Sequence, residues 1–201
     1  MVSRHFNSFS SLLNSKKMKN LLLSTALSIL SLAVSAQEAK SNMANQADSA
    51  QSTAMAGNDL KTQFAPVMAA YYGLKNALVA DNGTAAADQG KTLAKALENL
   101  DAKSWTIQQR NAYTPLAKKL ETDAEHIGAN AAKIDHQREH FENLSTNLFA
   151  VVKALKINSA PVYWEYCPMK KASWMSAENT VKNPYYGKQM LTCGSVKETV
   201  N

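Results

Sequence analysis

The chain has 201 residues, 45% hydrophobic and 19% charged, a composition typical of a globular protein. Of its 22 Lys and Arg, four lie in residues 1–36, which hold no acid, so the remainder carries 18 basic residues against 16 Asp and Glu. This near balance, without a basic stripe interleaved with aromatic residues, argues against nucleic acid as a partner.

Residues 1–36 have the pattern of an export signal. Lys16, Lys17 and Lys19 precede an apolar stretch at 21–34, and small residues at 33–36 fit a cleavage site. The apolar stretch, about 14 residues long, is shorter than the roughly 20 that a membrane helix needs. We therefore expect a periplasmic or secreted protein without membrane insertion after cleavage. The signal pattern itself begins at Met18, so that residues 1–17 read as an upstream mis-start.

Residues 37–57 are mostly Ala, Ser, Gln and Asn, which predicts a disordered linker. Residues 58–201 are enough for one domain with a core. We expect a first helix to begin at the cap pair Asn58-Asp59 and to end in the turn at 81–83, and Thr84 to cap a second helix.

A short helical piece is predicted at 105–111, before a third helix that starts at Thr114-Pro115. A turn is expected at 128–135, with Gly128 as a C-terminal cap and Asp135 as the N-terminal cap of a fourth helix that ends before 158–161. Apolar residues recur at three- and four-residue steps along the four helices. These positions are Leu60, Phe64, Val67, Met68, Tyr71, Leu74 and Leu78; Ala86, Leu93, Ala96, Leu97 and Leu100; Leu116, Leu120, Ala124 and Ile127; and Phe141, Leu144, Leu148, Val151, Val152 and Leu155.

The predicted fold is mainly α, an up-down four-helix bundle with a small, irregular, β-hairpin-like C-terminal cap. The cap begins where Val162, Trp164 and Tyr166 alternate with other residues in a strand-like pattern. A last strand through Met190 and Thr192 is expected to pair with this first strand.

Residues 162–198 hold both cysteines among methionines and aromatic residues, which suggests a soft-metal site. Cu(I) takes thiolate, thioether and imidazole ligands. In an extended segment, Cys167 and Met169 would point the same way. Met190 and Cys193 form a second sulfur pair.

Imidazole would come from the fourth helix. His140 lies on or beside its buried face, one turn after His136. His126 would share this face only if the helix is unbroken through the predicted turn.

Plainer interpretations stand beside the metal site. In an exported chain, Cys167 and Cys193 are also typical of a disulfide, and free buried thiols are a third state. Met169 and Met190 are equally compatible with a place in the hydrophobic core. His136 and His140 are equally compatible with a solvated helix surface. Asp135, Arg138, Glu139 and Glu142 read as a charged face. No nucleophile motif, oxyanion loop or phosphate-binding glycine loop indicates an enzyme.

Several ordered blocks resemble an exported domain family of unknown function. They are Cys167-Pro168-Met169, Trp174-Met175-Ser176, residues 183–187, residues 190–194, and residues 135–141 followed by Leu144-Ser145. The family also occurs as the C-terminal domain of some periplasmic adaptor subunits of copper/silver efflux pumps, and the resemblance covers roughly residues 58–198. This chain departs from its relatives between Met169 and Trp174, where they carry a longer, glycine-containing insertion.

The resemblance implies an association with heavy metals through the pump system. We therefore expect a non-enzymatic periplasmic protein that sequesters or delivers Cu(I) through Cys167, Met169, Met190, Cys193, His140 and His136. The alternative is a disulfide-stapled interaction module. It would dock on an efflux adaptor or another envelope protein through an exposed patch drawn from Trp164, Trp174, Tyr185 and Tyr186.

Overall fold

The computed structural model describes the backbone of residues 38–201 and the side chains of residues 59–201, so the predicted export signal lies outside the described residues. The chain forms four helices and then a three-stranded antiparallel sheet, which confirms the predicted fold class. The helices are α1 Glu38–Val79, α2 Gly83–Glu98, α3 Ile107–Ala129 and α4 Ile134–Leu155. The strands are β1 Val162–Cys167, β2 Ala172–Ser176 and β3 Ser195–Val200. In the part of the chain that the structure describes, none of the helices combines the length and apolar content that a membrane span requires.

Consecutive helices pack side by side, and the predicted apolar stripes form the common core. Of those positions, Ala96, Leu100, Leu116 and Leu155 lie at the edge of the core and the others are buried. The sheet joins this core through Tyr71, which is fully buried in α1. Its hydroxyl shares a hydrogen bond of 2.7 Å with Ser145 of α4 and accepts one of 3.0 Å from the N–H of Met175 in β2.

The first two helices begin at other residues than those predicted. α1 already includes residues 38–57, for which composition predicts a linker, because Ala, Gln and Met favour helix and no proline precedes Pro66. Asp59 lies inside this helix and accepts a hydrogen bond from Gln63. α2 is capped by Asn82 instead of Thr84, since the Asn82 side chain accepts a hydrogen bond of 2.9 Å from Ala85 N–H.

The third helix is one continuous element, so the predicted start at Thr114-Pro115 is wrong. Thr106 and Gln109 form a capping box, in which each side chain bonds the other's backbone N–H. From this start α3 continues through Pro115, which is exposed.

The predicted turn between α3 and α4 is present at residues 130–133, but its predicted caps are wrong. Gly128 lies inside α3, where it permits close packing on α2: a Cβ at this position would lie 2.9 Å from Lys91 Cγ and 3.1 Å from Lys91 N. Asp135 lies inside α4, after the cap residue Lys133, and is within 3.4 Å of Arg138.

The alternation predicted for β1 is wrong, although the strand itself pairs with β2 without a break. The register shift opposite Trp164 and Glu165 lies in β3, where Lys197 has no partner in β1. Val162 is buried on one face of the strand and Glu165 and Cys167 on the other, so that both faces of β1 are partly covered. The last strand does pair with β1, but it begins only at Ser195, since residues 187–190 form a 3-10 helix.

Candidate metal centre

A cluster of three histidines lies on the hairpin formed by α3 and α4. Because the turn at 130–133 is short, the helices run antiparallel, and residues at similar distances from the turn face each other. His126 precedes the turn, while His136 and His140 follow it and share one face of α4 at a spacing of four.

The side chain of Gln137 fixes this end of the hairpin. It is fully buried, and its Nε2 donates hydrogen bonds to Ile127 O at 3.2 Å and to Gly83 O at 2.9 Å. One amide thus ties α4 to the last turn of α3 and to the start of α2.

The ring nitrogens of the histidine cluster converge. His126 Nδ1 lies 3.1 Å from His140 Nε2, and one ligand atom from each of the three residues lies within 4.8 Å of the others. Two nitrogens bound to one tetrahedral ion at about 2.0–2.1 Å are roughly 3.3 Å apart, close to the observed separation. The rings are half-buried for His136 and His140 and exposed for His126, so that the cluster opens to solvent.

Carboxylates stand behind two of the three imidazoles. Asp123, which is buried in α3, lies 2.8 Å from His140 Nδ1, and Glu139 lies 3.4 Å from His136 Nδ1. An Nδ1–H that donates to a carboxylate leaves the Nε2 lone pair free for a metal ion and holds the ring in place.

The two cysteines form a second cluster, at the end of the sheet. Cys167 Sγ and Cys193 Sγ are 3.4 Å apart, and both thiols are free. Cys167 is the last residue of β1. Asn183 is fully buried and holds the second cysteine in place, because its Nδ2 donates to Cys193 O at 2.8 Å and its N–H to Leu191 O at 2.8 Å.

The environment of the two thiols differs. Burial acts to raise the pKa of Cys167, but hydrogen bonds from Lys170 N–H, Cys193, Asn183 and Met169 N–H outweigh it and lower this pKa. The hydrogen bond to Cys167, followed by burial, raises the pKa of Cys193. The pair therefore favours a thiolate at Cys167, where backbone N–H groups face the sulfur.

Both predicted methionine ligands lie at the surface. Met169 is 61% exposed and Met190 38% exposed, so neither fills the core. Cys167 and Met169 do not share the predicted extended segment, because β1 ends at Cys167 and the chain turns through 168–171, where Lys171 has a left-handed φ of 59°. Lys171 N–H closes this turn on Cys167 O at 2.8 Å.

The structure thus brings together the imidazoles in one place and the thiols in another. Among the residues whose side chains are described, the His, Cys, Asp and Glu group with three converging ligand atoms is His126, His136 and His140, and neither cysteine belongs to it. The sequence prediction of one mixed sulfur–nitrogen site included His136 and His140 but left His126 conditional on an unbroken helix and did not consider Asp123.

An interaction module is expected to expose aromatic residues, but two of the four candidates are buried. Trp174 is fully buried and Tyr185 is 5% exposed. Trp164 is half-buried and stacks on Phe149, with ring centroids 4.0 Å apart and planes at 2°. These rings pack the sheet onto the bundle.

The sequence predicts that Arg138 is part of an exposed charged face. In the structure its guanidinium instead joins three segments. Its guanidinium donates to Pro184 O at 2.9 Å, Leu78 O at 3.2 Å and Asp81 Oδ1 at 2.7 Å. Asp81 also accepts a hydrogen bond from Lys188 N–H, and this bond, together with Arg138, lowers the pKa of Asp81. The contacts fix the segment before Cys193 against the end of α1.

Comparison with known proteins gives a match to one family model. No curated protein and no solved structure matches the chain. Residues 67–160 match a family model described as a protein of unknown function (DUF3347), a region that contains all three histidines of the cluster and ends before either cysteine. The resemblance to a domain family of unknown function is confirmed to that extent: a DUF3347 domain is found at residues 67–160.

Proposed function

We propose that the protein binds a transition-metal ion, copper in preference to zinc, at His126, His136 and His140. The observation that carries the proposal is the convergence of three imidazoles from two helices, with His126 Nδ1 and His140 Nε2 3.1 Å apart. Imidazole is a good ligand for copper, zinc and nickel, and in the general order of divalent affinities Cu(II) exceeds the other two.

The surroundings support a metal ion over an incidental cluster. Asp123 is buried beside His140 Nδ1 at 2.8 Å, which sets the tautomer that a metal site needs. Three protein ligands leave a further coordination position open to water or to an incoming group, which suits transfer of the ion.

The cellular role follows from the sequence. The leader-like residues 1–36 favour a periplasmic or secreted location, where the protein would sequester copper or deliver it. The resemblance of several sequence blocks to domains of copper/silver efflux adaptors favours copper as the metal and such an adaptor as the partner. We assign no catalytic activity.

Metal titration tests the proposal. The purified chain is titrated with Cu(II) and with Zn(II) against a competing chelator, and the Cu(II) form is examined by electron paramagnetic resonance. We expect one Cu(II) bound by nitrogen ligands. His126→Ala and His140→Ala should each lower its affinity by about 100-fold or more, since loss of a supporting residue alone costs about 10–100-fold.

The sequence makes this test specific, because His126, His136 and His140 are the only histidines after residue 36. Glu125→Gln is the matched control, since Glu125 is exposed and adjacent to His126. Unchanged Cu(II) affinity in both histidine variants, with circular dichroism showing intact helices, would overturn the proposal.

A further inference from the structure

The sulfur cluster is separate from the histidine cluster and has its own chemistry. We propose that Cys167 and Cys193 form a second metal site, for a soft monovalent ion such as Cu(I) or Ag(I), with Met169 and Met190 as additional thioether ligands. This inference rests on the sulfur geometry and does not depend on the histidine site.

The distance between the sulfurs is compatible with a shared ion. A disulfide bond is about 2.05 Å long. Two sulfurs that each bind an ion at about 2.3 Å lie at most about 4.6 Å apart. The observed 3.4 Å falls between these values, so small side-chain rotations would give either state.

The backbone around Cys167 favours the ion. The N–H groups of Met169 and Lys170 both face its sulfur, and Asn183 adds a side-chain hydrogen bond. Donors of this kind stabilise an anionic sulfur, the form that binds metal. A neutral disulfide sulfur gains less from them.

The exposed methionines are the second observation. Met169 follows Cys167 by two residues and is 61% exposed, while Met190 precedes Cys193 by three and is 38% exposed. Methionine is ordinarily buried, because its thioether chain gains free energy in a core. Two exposed thioethers, each within three residues of one of the cysteines, are accounted for if they serve as soft ligands.

The charge balance of the site is simple. Two thiols release two protons to solvent, and two thiolates with one monovalent cation leave a net charge of −1. Lys170 and Lys171, in the turn after Cys167, supply positive charge nearby; Lys170 also lies 3.6 Å from Glu142. Neither the metal nor the sulfur changes oxidation state.

The experiment uses the purified chain, reduced and kept free of oxygen. Cu(I) affinity is measured by competition with a chromophoric Cu(I) chelator, and Ag(I) binding by native mass spectrometry. We expect one Cu(I) per chain with sulfur ligands in X-ray absorption. Cys193→Ser should weaken binding by about 100-fold or more, and the double variant Met169→Leu, Met190→Leu by about 10-fold.

Cys193 is chosen for the single variant because Cys167 is fully buried and its replacement risks unfolding. His126→Ala with His140→Ala is the control, and Cu(I) binding to the sulfur site should survive it, so that failure of the two proposals can be told apart. Two results would overturn the inference: Cu(I) affinity unaffected by Cys193→Ser, or a disulfide that persists in protein isolated from copper-supplied cells, seen as a mass two hydrogens lower.

Discussion

The Nδ1 atom of His126 lies 3.1 Å from Nε2 of His140, although the residues are 14 apart in sequence and belong to different helices. The far side of the His140 ring contacts buried Asp123 at 2.8 Å. Asp123, His140 and His126 thus form a series of contacts that runs from the interior of the hairpin to its surface.

This series predicts a selective effect of Asp123→Asn. The amide keeps the shape of the carboxylate but removes its charge, so the variant should bind Cu(II) about 10–100-fold more weakly while its helices remain folded. Chelator competition measures the change. Glu139→Gln is the comparison, and should have a smaller effect because Glu139 is 3.4 Å from His136 and 69% exposed. Wild-type affinity in Asp123→Asn would show that the carboxylate does not support the site.

The contact between Tyr71 and the sheet predicts a loss of stability in Tyr71→Phe. Without the hydroxyl, the buried N–H of Met175 and Ser145 Oγ lose their partner, which should reduce the free energy of unfolding by about 1–3 kcal/mol. Urea denaturation at neutral pH measures it. Tyr72→Phe, at a half-buried neighbouring position, should change stability by less. Equal effects of the two substitutions would contradict the assigned role of Tyr71.

Glu165 predicts a pH dependence of stability. It is fully buried in β1, neither carboxylate oxygen has a hydrogen-bond partner, and burial raises its pKa to about 7 from 4.5, opposed by Lys75. Trp174 also acts to lower this pKa, and Glu178 to raise it. A raised pKa means that the folded protein binds the proton more tightly than the unfolded chain. The associated stability is therefore fully present below pH 4.5 and is lost as the pH rises through about 7.

Glu165→Gln tests this dependence. The amide resembles the protonated acid, so the variant should lack the decline between about pH 5 and 8, which amounts to no more than about 3 kcal/mol in the wild type. Urea unfolding at several pH values gives both curves. A wild-type curve that rises over this interval, or parallel curves for the two proteins, would contradict the assignment.

The packing around Gly90 of α2 and Gly73 of α1 predicts opposite effects on stability when each is replaced by alanine. In Gly90→Ala the new methyl would lie 2.8 Å from the Gly128 nitrogen and 3.0 Å from Ala124 O, both backbone atoms, so stability should fall by about 1–3 kcal/mol. In Gly73→Ala the nearest atom, at 2.5 Å, is the end of the Gln89 side chain, which can move. This variant should be neutral or stabilised by up to about 1 kcal/mol, because alanine favours helix. Thermal unfolding of both variants measures the contrast, and similar destabilisation would contradict the packing described.

The apolar stripes of the helices could be predicted because helical spacing places buried residues on one face. Leu60 through Leu78, and Phe141 through Val152, depend on that local rule alone. The starts of α2 and α3 carry better signals than those chosen from sequence. Asn82 is a stronger cap residue than Thr84, and Thr106 with Gln109 has the spacing of a capping box. The burial of Glu165 and Cys167 depends on which segments cover the two faces of β1, a tertiary contact that no local pattern reveals.

The histidine cluster was partly accessible from sequence. The spacing of His136 and His140 places them on one face of a helix. From sequence, His126 is expected near these two residues only if the helix is unbroken. The break is what brings His126 close to them, because residues at similar distances from the turn become neighbours in a tight antiparallel hairpin. The cysteines, 26 residues apart, meet only through strand pairing and the hydrogen bonds of Asn183, which no local pattern reveals.

The two clusters are completed at different moments in the life of the chain. A protein leaves the ribosome N-terminus first, at about 5–20 residues per second, and nearby contacts form before distant ones. The imidazoles can converge once the α3–α4 hairpin has emerged. Cys193 stands two residues before β3, so its pairing with Cys167 waits until β3 has been made. During synthesis the imidazole ligands therefore become available to a metal ion before the paired thiols do.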